Sequence, residues 1–228
     1  MRPHTGAILP LAAAIVASLS CSDSTVAPPP VVGPQYPSNA LPASTIRRFV
    51  ALYETKDAVE YPKLFTGDFR FEFSNSADPG LVILYPGGWT KYDERIAAQN
   101  LFQGGVNAGG GAVEAAQVIE LSLTPTTPVG DGSAGKDSSL YKTLLASIEL
   151  QIDLPSGDRF VAGEAPPQTN RFDLVRGDAA VGLEADQPAD SLHWYVYRWR
   201  DESPPLKPSF EPEQSEATTW GRLKALYR

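Results

Sequence analysis

Residues 46–73 read IRRFVALYETKDAVEYPKLFTGDFRFEF, and within them the hydrophobic period changes from that of a helix to that of a strand. Ile46, Phe49, Val50 and Tyr53 recur at spacings of three and four, with Arg47, Arg48 and Glu54 between them, which predicts an amphipathic helix opened by Ser44. Asp57-Ala-Val-Glu60 has the form of a capping box and predicts a second short helix carrying Val59, Tyr61, Leu64 and Phe65 as far as Gly67, begun a residue or two later to keep Pro62 in its first turn. From Phe69 the alternation is strict. Phe69, Phe71 and Phe73 fall on one face and Arg70 and Glu72 on the other, the pattern of a half-buried strand.

Downstream, Ser74 to Gly88 carries Pro79, Pro86 and three glycines and reads as a loop. Trp89-Thr90 then leads into a third helix, Lys91 to Phe102, ended by Gly104 and Gly105. Strand character follows at Val113–Leu123, Tyr141–Leu154, Arg159–Glu164, Phe172–Gly177 and Leu192–Arg200, with a hairpin turn at Pro155-Ser-Gly-Asp158. Helices followed by several antiparallel strands make an α+β domain, here 44–202. The tail 203–228 is Pro-rich to Pro212 and ends in a short helix, with Trp220, Leu223 and Tyr227 on one side, that packs back on the domain as a cap.

Upstream lies an address. Residues 1–20 combine Arg2, an apolar run from Ala7 to Ala17 interrupted by Pro10, and small residues, which reads as a secretory signal peptide rather than a membrane-spanning helix. Ser18-Leu19-Ser20-Cys21 resembles the lipobox of bacterial lipoproteins, which implies that Cys21 is acylated. Ordinary secretion with a free cysteine is the alternative. Residues 21–43 hold six prolines and no run that could pack, so they read as a disordered, largely extended tether behind the lipidated Cys21. The expected location is the cell envelope, on the periplasmic or cell-surface side, with the membrane contacted through the lipid.

Composition narrows the chemistry. Among 228 residues, 19 are Lys or Arg and 27 Asp or Glu, a net charge of −8 that becomes −9 without the leader, so nucleic acid is not an expected partner. The single cysteine and two histidines argue against zinc sites and internal disulfides. The Gly-rich stretch 104–111 lacks a phosphate-loop pattern, Asp131–Asp137 lacks the Gly and Glu of a calcium loop, and no nucleophile-elbow serine is present. No metal and no cofactor are expected.

The segments 46–73, GGWTKYDERIAAQNLF (87–102) and WYVYRWRDE (194–202) together resemble the nuclear transport factor 2-like superfamily, its SnoaL-like branch in particular. The resemblance implies a cone-shaped, curved antiparallel sheet packed on three helices, a cystatin-like α+β roll, with a pocket at the open end. On that frame Phe69, Phe71, Phe73, Trp89, Tyr195, Tyr197 and Trp199 are candidate pocket residues, and strict alternation puts His193, Tyr195, Tyr197 and Trp199 on one strand face. Asp93, Glu94 and Asp68 are the nearest acidic candidates, although acidic residues in a first helical turn are also favoured by the helix dipole.

Three readings follow. The leading one is a non-enzymatic, lipid-anchored extracytoplasmic protein that binds a small apolar ligand or a protein partner. The second is an isomerase-like enzyme abstracting a proton in the pocket, with Asp93 or His193 as base and Tyr92 or Tyr195 as hydrogen-bond donor. The third is a structural module that forms a homodimer.

Overall fold

A computed structural model describes residues 35–163, 168–205 and 215–228. The signal peptide, Cys21 and the tether as far as residue 34 lie outside the described residues, as does the stretch 206–214. Among the described residues, no helix is long and apolar enough to cross a membrane.

Helix α1 spans Pro42–Glu54 and starts two residues before the predicted cap. Pro42 fits the first turn, where its missing N–H costs nothing. Ser44 closes that turn from inside, its hydroxyl accepting from the Leu41 amide at 3.0 Å and donating to the Leu41 carbonyl at 2.8 Å. The helix buries Ile46, Phe49, Leu52 and Tyr53.

The predicted second helix does not form. Asp57 Oδ1 accepts from the amides of Val59 and Glu60 in a side-chain turn, and Glu60, instead of reaching back, pairs with Arg48 at 3.0 Å and Lys63 at 2.8 Å. What remains is one 3-10 turn, Tyr61–Leu64, and Phe65 already belongs to the first strand, β1 (Phe65–Glu72). The predicted loop after it contains a short helix, α2 (Pro79–Leu84), before β2 (Trp89–Thr90). Helix α3 runs Lys91–Gln103, opened by a Thr90–Asp93 capping box and stopped at Gly104, whose φ of 74° suits glycine.

A small hairpin, β3 (Gly105–Val106) with β4 (Ala112–Val113), stands apart. The main sheet adds β5 (Val118–Pro125), β6 (Val129–Gly130), β7 (Tyr141–Asp153), β8 (Arg159–Ala162), β9 (Gln168–Arg176), β10 (Trp194–Asp201) and β11 (Ser215–Ala217), in the order β11-β8-β7-β9-β10-β1-β2, with β5 and β6 also on β7. The curved sheet is antiparallel apart from two pairings, β1 with β10 and β11 with β8, which are parallel. The architecture is therefore α+β, as the element order predicts.

Helix α4 (Trp220–Tyr227) is part of the core rather than a tail. Trp220 is fully buried, with Trp199 4.9 Å and Tyr53 5.2 Å away between ring centroids, and Leu223 and Tyr227 are buried beside it. Burying a tryptophan this way contributes about 3–5 kcal/mol over alanine. The three helices packed on the sheet are thus α1, α3 and α4, the last standing in for the helix predicted at 57–67.

Candidate functional site

The predicted pocket residues divide between two faces. Phe69, Phe71, Trp89 and Trp199 are fully buried and Phe73 nearly so, packed ring against ring: Phe71 lies 5.0 Å from Trp199, Phe73 5.1 Å from Trp89, and Phe49 of α1 5.1 Å from Trp199. They belong to the main hydrophobic core. Tyr195 and Tyr197 do not share it, because β10 carries a bulge between Val196 and Arg198 where its register to β9 slips by one. Trp194, Val196 and Trp199 therefore point into the core, while Tyr195 and Tyr197 join Val175 in a separate cluster on the other face. There the Tyr197 hydroxyl donates to Asp131, and Lys136 Nζ sits 4.0 Å from the Tyr141 ring centroid.

The catalytic candidates are occupied elsewhere. Asp93 accepts from the Thr90 amide at 2.9 Å and hydroxyl at 2.8 Å and from Arg228 Nε at 2.8 Å. Burial raises its pKa, but those bonds outweigh burial and hold it below the usual carboxylate range. His193 precedes β10 and binds Asp190 Oδ1 through Nδ1 at 2.7 Å. Tyr92 is exposed, beneath the Arg95 guanidinium. Asp68 bonds the Thr66 hydroxyl at 2.6 Å. These side chains do not converge on one point.

Glu94, one turn-position beyond Asp93, does face inward. It lies on the stripe of α3 that buries Ala97, Ala98, Leu101 and Phe102. Its carboxylate accepts from the Tyr61 hydroxyl at 2.6 Å and from Lys224 Nζ at 2.6 Å. Lys224 occupies the matching stripe of α4, between Trp220 and Tyr227. No motif in the sequence marks either of them.

An open, apolar site lies between α2 and α4. Asp78, Pro79, Leu81, Leu84, Ala225 and Leu226 are among the residues bounding a groove of about 550 Å³. Helix α2, Pro-Gly-Leu-Val-Ile-Leu, buries none of its six residues, and Ile83 is 81% and Leu84 65% exposed. Two charges mark one wall: Asp78, fully buried as a side chain, holds Arg222, which is half exposed. A second cleft, about 860 Å³, is of mixed character; Val129 and Leu145 line it beside Thr126, Thr143, Arg171 and Arg200, the two arginines both pairing with the buried Asp173.

Comparison with known proteins yields structures only. No family model matches the chain, and no curated protein matches it. A protein from Novosphingobium aromaticivorans described as a candidate aromatic ring hydroxylase is 13% identical, with 73% of this chain and 87% of that one covered and a TM-score of 0.44. An NTF2-like protein of unknown function in nutrient uptake from Rhodospirillum rubrum is 12% identical over 71% of this chain and 96% of its own, TM-score 0.41. A nuclear transport factor 2-like superfamily protein from Salmonella enterica serovar Typhimurium is 12% identical over 74% and 92%, TM-score 0.41. Likenesses of this strength carry no functional inference.

Proposed function

We propose that the protein is an exported, lipid-anchored binding protein that takes a small apolar ligand in the groove between α2 and α4. The observation that carries this reading is α2 itself, an apolar helix that seats Leu81 and Val82 half-buried against the core and leaves Leu84, 65% exposed, lining a groove. Exposed apolar surface of this kind costs free energy in water, and a ligand covering ~200 Å² of it recovers about 5 kcal/mol before association costs. Arg222 at the rim favours a ligand with an anionic or polar end. The leader 1–20, Cys21 and the Pro-rich stretch support export and anchoring.

Two experiments test it. Titration with 8-anilinonaphthalene-1-sulfonate, an apolar probe with an anionic end, should saturate, and Leu84→Asp and Leu226→Glu should each weaken it at least tenfold; affinity unchanged in both removes the groove as the site. Globomycin should block removal of the leader 1–20, and Cys21→Ala should abolish both that cleavage and the acyl-dependent membrane partitioning of the mature chain. Processing and partitioning that ignore both would remove the anchor.

A further inference from the structure

Lys224 sits where α4 otherwise buries Trp220, Leu223 and Tyr227, and a lysine at such a position ordinarily extends its stem to bring the ammonium into water. Here it goes inward. Nζ lies 3.4 Å from the ring centroid of Trp199, 3.9 Å from that of Phe71 and 5.8 Å from that of Trp220. The carboxylate of Glu94 closes the remaining side at 2.6 Å, and the two side chains are 3% and 1% exposed. Tyr61 fixes the other carboxylate oxygen.

An ammonium taken out of water into such a place is expensive unless it is paired. A buried ion pair is also a poor way to seat a helix, since apolar residues of the same volume do so as well or better. Aromatic faces around a carboxylate have a different use: together they recognise an organic cation, through ring quadrupoles and one charge-assisted hydrogen bond. Among the described residues Glu94 is the one hydrogen-bond acceptor of Nζ, so the rings face the rest of the group.

We propose that the inner end of the fold is a recognition site for a primary alkylammonium group, filled in this chain by its own Lys224. The class follows from the geometry. A quaternary ammonium has no N–H for Glu94, and a guanidinium is a flat fork that seeks two carboxylate oxygens, one of which is already bonded to Tyr61. A compact ammonium on an unbranched stem satisfies both the rings and the acid. Lys224 does not line the α2–α4 groove, so this site stands or falls separately from ligand binding there.

The test is chemical rescue in the full chain. Lys224→Ala removes a propylammonium equivalent, and n-propylammonium chloride should raise its thermal midpoint saturably by about 2–4 °C, the response of a chain this size to a modest binding energy. n-Propanol and tetramethylammonium should not do so. Lys224→Met, which fills the same volume, should gain nothing from any of the three. Equal rescue by n-propanol, or no rescue by n-propylammonium, overturns the proposal. Should Lys224→Ala fail to fold, NMR of the unaltered protein decides: the Lys224 Cε protons should be shifted upfield by the Trp199 ring, and random-coil shifts would count against the cage.

Discussion

Arg222 of α4 donates through Nε to Asp78, whose carboxylate also accepts from the Thr219 hydroxyl and is fully buried as a side chain. One acidic residue at the start of α2 thus ties down the helix that completes the core. Removing the cation leaves Asp78 buried without its charge partner, and close to Asp201, which burial and Asp78 push above the usual carboxylate range. Breaking a fully buried pair costs about 3–5 kcal/mol. Arg222 is half exposed, so Arg222→Ala should cost about 2 kcal/mol, more than Asp78→Asn, which removes the charge as well. Urea unfolding of the two variants measures the order; the reverse order would show that Arg222 is solvated rather than paired.

Asp93, in place of acting as a base, should behave as a helix cap. Asp93→Ala should lower stability by about 1 kcal/mol, the usual worth of such a cap. Because its folded pKa is depressed, its contribution is present above the ordinary value of 3.8 and is lost as pH falls through the lower folded value. Unfolding free energies of the native and Asp93→Ala proteins should therefore converge as pH falls below the ordinary carboxylate value of 3.8. A constant difference down to pH 2 would assign the loss to something other than the carboxylate.

The elements were legible where side-chain period and secondary structure agree. Lys91–Gln103, Tyr141–Asp153 and the Phe69-Phe71-Phe73 face follow directly from spacing. Other features escaped. Asp57 and Glu60 match a capping box, yet Glu60 has better partners in Arg48 and Lys63, which lie close only in the folded chain. The bulge at Tyr197 exchanges the two faces of β10 halfway along, and strict alternation cannot contain an extra residue. Glu94 reads from the sequence only as an acidic residue of a first helical turn and Lys224 as lying off the apolar side of its helix; both are buried, and that they meet depends on α4 crossing α3, which spacing does not encode.

Gly67 and Gly182 make a close backbone crossing. A Cβ on Gly67 would lie 2.9 Å from the Gly182 Cα and nearer still to its carbonyl oxygen, while the Gly67 amide donates to the Val181 carbonyl at 3.0 Å. Backbone atoms cannot step aside as a flexible side chain can. Gly67→Ala should then cost about 1–3 kcal/mol through overpacking. Gly182→Ala meets Gly67 at 3.0 Å and in addition must adopt a φ of 65°, so it should cost at least as much. Both should shift the urea midpoint with an unchanged slope; a neutral Gly67→Ala would mean that the Val181–Gly182 segment does not hold this position in solution.

Lys224 should leave a signature in the pH dependence of stability. Burial lowers its pKa from 10.5 to about 8, against the pull of Glu94 and Asp201, so at neutral pH it is still the ammonium. Between those two values the unfolded chain binds a proton that the folded chain has released, and stability must therefore rise with pH from about 8 towards 10. One such group contributes at most about 1.4 kcal/mol per pH unit. Above pH 10 the sign is opposed by Tyr53 and Tyr61, which burial raises well above 10 so that they lose protons more readily in the unfolded chain. Guanidinium unfolding of the native and Lys224→Met proteins at intervals between pH 7.5 and 10 separates the contribution. The native slope should be steeper than that of Lys224→Met throughout this window, and parallel curves would mean that Lys224 does not titrate inside the fold.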